Sequence, residues 1–113
     1  MEYYRVDLSN SDKLREYAEK GDNVGYARVL EGNNPPRILI ELSRNGLIGL
    51  GTELIRLAHD YQEGWHEHIH PAEKGLISSS MGIFLHPESS EVIISCTEFG
   101  VINDYVESDK NDE

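Results

Sequence analysis

Apolar and polar residues change period several times along this chain, and each change predicts a new element. From Ser9 to Lys20, SNSDKLREYAEK opens on capping-type residues and stops before Gly21. Leu14, Tyr17 and Ala18 fall at i, i+3 and i+4 within it, which predicts a short helix. VGYARVLE (24–31) and RILIELS (37–43) are rich in β-formers and flank GNNPP. They predict a hairpin with Pro35 and Pro36 in the connection, where no ladder donor is needed. Ile38, Ile40 and Leu42 share one face of its second strand.

RNGLIGLGTELIRLAHDY (44–61) then repeats Leu47, Leu50, Leu54, Leu57, Ala58 and Tyr61 at threes and fours, the spacing of an amphipathic helix. Asn45 is its expected cap, and Arg56 and Asp60 are spaced for a surface pair. Gly46, Gly49 and Gly51 lower helix propensity, so they predict a close approach of the first turn to a sheet. They fit neither the dinucleotide-binding nor the P-loop pattern.

In EGWHEHIHPAEKG (63–75) the period becomes two. His66, His68 and His70 are expected on the exposed face of a strand, with Trp65 and Ile69 as core anchors on the other. MGIFLHP (81–87) and EVIISCTEF (91–99) flank PESS and predict a second hairpin. NDYVESDKNDE (103–113) is acidic and aperiodic, and from about residue 104 it is expected to fray. Together these elements predict a single α+β domain over residues 1–113, ordered from about 9 to 103. Its architecture would be a mainly antiparallel sheet of about five strands, with one long amphipathic helix packed on one face and a short N-terminal helix.

Charge sharpens this picture. The formal net charge is −11, from 21 acids against 10 Lys plus Arg. Residues 1–59 hold nine acids and eight bases, whereas residues 60–113 hold twelve acids and only Lys74 and Lys110. Such a field repels phosphate backbones and argues against direct nucleic-acid binding. It attracts a basic partner. Cys96, the single cysteine, cannot form an internal disulfide and is expected as a small core residue. The start, MEYYRVDLSNSDKL, lacks a signal-peptide pattern, and no apolar run approaches membrane-spanning length. A cytoplasmic location without membrane association is the expectation.

The histidines are the candidate chemistry. Adjacent same-face histidines stand about 7 Å apart at Cα and could share an ion, while the outer pair at about 13 Å could not do so comfortably. A metal would use two of His66, His68 and His70 and recruit further ligands, with His59, His86, Glu67 and Glu73 suitable by type. Pro71 and the alternation exclude the helical H-E-x-x-H arrangement. A metal-binding module or metal-dependent enzyme on this strand is therefore the alternative reading, and the leading expectation carries no metal, cofactor or catalytic residue.

That leading expectation comes from the order of motifs over residues 44–85. NGLIGLGTELIRLA is followed by a short acidic spacer, then HIH, a Gly75–Leu76 pair, SSS and an apolar strand. This order resembles a group of small bacterial immunity proteins found beside polymorphic toxins, including those of contact-dependent growth inhibition. The acidic residue usual after H-x-H is replaced here by Pro71 and Ala72. The resemblance implies a non-enzymatic protein that binds and neutralises a cognate toxin domain in the cytosol. A basic, nuclease-type toxin would complement the acidic half. Glu88, Glu91, Glu98, Asp104 and Glu107 are the candidate partner-binding residues.

Overall fold

The computed structural model describes residues 5, 6, 8, 21–32, 34–60 and 62–106, so the helix expected over 9–20 lies outside the described residues. The chain is mixed α+β. Its elements run β1 (Val24–Leu30), β2 (Arg37–Leu42), α1 (Arg44–His59), β3 (His66–Ile69), β4 (Phe84–Leu85), β5 (Val92–Ser95) and α2 (Asn103–Val106).

The first hairpin forms where the sequence places it. β1 and β2 pair antiparallel from Gly25 opposite Leu42 to Leu30 opposite Arg37, with both prolines in the connection. The second expected hairpin does not form. β4 adds to β1 in parallel, giving a three-stranded sheet in the order β2-β1-β4, while β5 pairs antiparallel with the histidine strand β3. The five strands thus form two small sheets rather than one. Two apolar runs on either side of a turn signal two strands, but periodicity does not say which strand each will pair with.

Helix α1 departs from expectation more sharply. The leucine stripe faces inward only in part: Leu50 packs on the core and Leu57 is half-buried, but Leu47 and Leu54 are exposed, whereas Gly46, Gly49, Glu53 and Arg56 are buried. Two glycines explain this rotation. A Cβ on Gly46 would stand 2.9 Å from Val24 O, and one on Gly49 would run into Gly82 O. Backbone packs directly on backbone there, closer than any side chain allows. The expected close approach therefore holds at Gly46 against the sheet and at Gly49 against a turn. Gly51 meets nothing within 4 Å, so it marks no approach.

Ser43, not Asn45, caps the helix. Its Oγ accepts from Gly46 N (3.0 Å) and Val24 N (3.1 Å) and donates to Asp22 O (2.7 Å), so one hydroxyl ties the start of α1 to the start of β1. Asn45 instead donates to the Asp22 carboxylate at 2.8 Å.

The apolar core is small. Ile69, Ile83 and Leu85 are its fully buried members, packed by Leu42, Leu50, Met81, Val92 and Ile94. It joins the two sheets, because Ile69 comes from β3 and Leu85 from β4. Buried polar groups complete the connections. Asn23 Nδ2 donates to Gly82 O (2.8 Å), and Ser89 Oγ accepts from Ala27 N (2.8 Å). Trp65, expected as a core anchor, is 42% exposed, while Ile69 at 1% fulfils that role. Cys96 is half-buried.

Candidate functional site

Strand alternation and the β3–β5 register build the histidine face. His66, His68 and His70 project to one side, with ring centroids 5.0 Å apart for the first pair and 5.8 Å for the second. Ile69 anchors the opposite side in the core. His68 lies opposite Ile93 and Ile69 opposite Val92, so Glu91 comes next to His70 on the partner strand's approach. Residues facing each other across a ladder share a face, and Glu91 therefore joins the histidines. Its Oε2 lies 2.6 Å from His68 Nδ1 and its Oε1 lies 3.5 Å from His70 Nδ1. The bond to His68 is the main reason the Glu91 carboxyl is held below the usual carboxylate range; slight desolvation opposes this, and the charges of His70 and His68 add to it.

One ligand-capable nitrogen or oxygen from each of His68, His70 and Glu91 lies within 4.8 Å of the others, and this is the only such trio among the described residues. His66 is outside it, in keeping with the limit of two histidines per ion. His59 closes helix α1, His86 stacks on Tyr26 at 4.7 Å, and Glu73 sits in its own turn with Leu76. Glu67 points to the opposite side of β3 and lines a separate cavity. None of these four joins the histidines. Sequence reasoning missed Glu91 as their neighbour because it paired the 91–99 strand with 81–87.

The separate cavity, of about 360 Å³, lies between α1 and β3. Glu53, Arg56, Trp65, Glu67 and Met81 are among its walls. The buried Glu53 carboxylate pairs with the Arg56 guanidinium one helical turn away. The Arg56–Asp60 pair expected on the surface is thus replaced by an inward one.

The candidate partner-binding acids Glu88, Glu91, Glu98 and Asp104 are all exposed, and Glu107 lies outside the described residues. Glu91 is engaged with the histidines. Glu98 precedes, and Asp104 lies within, an apolar stretch that the sequence did not single out: Phe99, Val101, Ile102, Tyr105 and Val106 are each 55–70% exposed. The stretch is nonetheless structured. Tyr105 Oη donates to Phe99 O (2.6 Å), Asp104 Oδ2 accepts from Val101 N (3.2 Å), and residues 103–106 form a helical turn, although fraying is expected from about residue 104. No helix among the described residues is long and apolar enough to cross a membrane. Comparison with protein-family models, curated proteins and solved structures gives no match to this chain.

Proposed function

We propose that this protein is an immunity protein, which binds and neutralises a cognate bacterial toxin domain by stoichiometric protein–protein contact in the cytosol. The observation that carries this reading is the exposed, structured stretch from Phe99 to Val106, which follows Glu98 and includes Asp104. Aromatic and aliphatic side chains clustered in solvent mark a surface built for a partner, and they supply the area that dominates interface energetics. The surrounding acids add steering and select a basic partner, since nearly all the charge excess lies in residues 60–113. The motif order over residues 44–85 adds the toxin–immunity context.

Isothermal calorimetry with the toxin domain encoded beside this protein tests the proposal. One-to-one binding that weakens as salt rises is expected, with Phe99→Ala and Tyr105→Ala lowering affinity and Asp104→Lys slowing association. Absence of binding at low ionic strength would eliminate this function.

A further inference from the structure

The histidine face carries a second inference, independent of the toxin reading. We propose that His68, His70 and Glu91 bind one divalent transition-metal ion of the zinc type. Two imidazole nitrogens and one carboxylate oxygen form a borderline donor set that suits zinc, nickel and copper and is poor for magnesium or calcium. A tetrahedral zinc ion with bonds of about 2.0–2.1 Å holds its ligand atoms about 3.3 Å apart. One ligand atom from each residue already lies within 4.8 Å of the other two, and the carboxylate stands 2.6 Å from His68 Nδ1 through Oε2 and 3.5 Å from His70 Nδ1 through Oε1. The shorter contact is a hydrogen bond, and the ion would take the place of the shared hydrogen as the exposed side chains turn towards it.

The backbone beneath the three residues is fixed at both ends. Ile69, between the two histidines, is fully buried, and Pro71 and Ala72 bridge to Leu85 through the bond from Ala72 N to Leu85 O at 3.0 Å. Two residues before Glu91, buried Ser89 is clasped to Ala27, and Ser90 N donates to Ala27 O at 2.8 Å. Ligands on fixed strands lose little freedom on binding, which favours an ion over a mobile surface cluster. With three protein ligands, the remaining coordination position is open to water or to a group from another molecule. The ion would also tie the end of β3 to the approach of β5.

The test uses the full chain purified without a polyhistidine tag. Competition against a chromophoric zinc chelator should show one equivalent of Zn²⁺ bound, without displacement by excess Mg²⁺ or Ca²⁺. Glu91→Gln and His68→Ala should each weaken binding by about tenfold or more, and His66→Ala by less than about twofold. Histidine-ring NMR of the unaltered protein gives a readout that does not depend on any variant folding. Added Zn²⁺ should shift the His68 and His70 rings while His59 and His86 stay in place. Fewer than about 0.1 equivalents bound at about 10 µM free zinc, equal affinity in Glu91→Gln, or shifts centred on His59 or His86 would each overturn the assignment. Since no toxin enters this experiment, its outcome leaves the immunity reading to be judged separately.

Discussion

Replacing Gly49 or Gly51 by alanine makes the same chemical change in the same helix, yet the two variants should move stability in opposite directions. Both gain helix propensity, about 0.8–1 kcal/mol relative to glycine. At Gly51 the new methyl meets nothing within 4 Å, so the gain should appear nearly whole. At Gly49 the methyl would overlap Gly82 O by about 1 Å and stand 3.1 Å from Gly82 C. These are backbone atoms and cannot rotate away. Gly82 is further held by the bond from buried Asn23, so relief requires α1 and the 80–83 turn to separate. Overpacking of this kind costs about 1–3 kcal/mol, and straining a buried hydrogen bond adds about 1 kcal/mol or more. Net destabilisation near 2 kcal/mol follows for Gly49→Ala, against stabilisation near 1 kcal/mol for Gly51→Ala. Urea unfolding followed by fluorescence of Trp65, the only tryptophan, provides the assay. With m of about 1–1.5 kcal/mol/M for a chain of this size, the two midpoints should differ by roughly 2–3 M. A Gly49→Ala midpoint at or above that of the unaltered protein would refute the backbone contact between α1 and the turn.

Other expectations follow from the same structure. Glu53→Gln should cost about 1–3 kcal/mol, because it removes a negative charge from beside a buried guanidinium, while Glu53→Leu combined with Arg56→Met should recover part of the loss; a double-mutant cycle in urea checks this. Ser43→Ala should cost about 1–2 kcal/mol, measured the same way, since the hydroxyl both caps α1 and joins it to β1. Glu91 predicts a pH dependence. A carboxyl whose folded pKa is depressed contributes stability above its ordinary pKa and loses it as pH falls through the lower, folded value. In metal-free buffer containing a chelator, Glu91→Gln should therefore flatten the decline in thermal midpoint below about pH 5. Equal slopes for the two proteins would contradict the bond to His68.

Local features of this fold were legible because they depend on neighbours in sequence. The β1–β2 hairpin follows from β-formers around Pro35 and Pro36, and the common face of His66, His68 and His70 follows from a period of two. The orientation of α1 was hidden because leucine spacing identifies an apolar stripe but not what lies against it. Contacts at Gly46 and Gly49 decide the outcome, and their partners Val24 and Gly82 are distant in sequence. Glu91 was hidden for the same reason. Its place beside His68 depends on β5 choosing β3 over the adjacent β4, and both strands are short, apolar and compatible with either choice. The Phe99–Val106 stretch was obscured by the acids around it, which made the end of the chain look like a solvated tail.

The parallel pairing of β1 with β4 sets the order in which this chain can be completed during synthesis. Val24 and Phe84 are register partners sixty residues apart, and closing a loop of that length costs about 4 kcal/mol of chain entropy before any contact repays it. On a ribosome, β1, β2 and α1 emerge well before residue 84, so the hairpin and its helix must wait with one edge of β1 unpaired. During that interval the edge of β1 at Val24 and Gly25 lies open, and Leu42 and Leu50 wait without Ile83 and Leu85, on which they finally pack. A two-residue strand near the end of the protein thus determines how long its beginning remains adhesive.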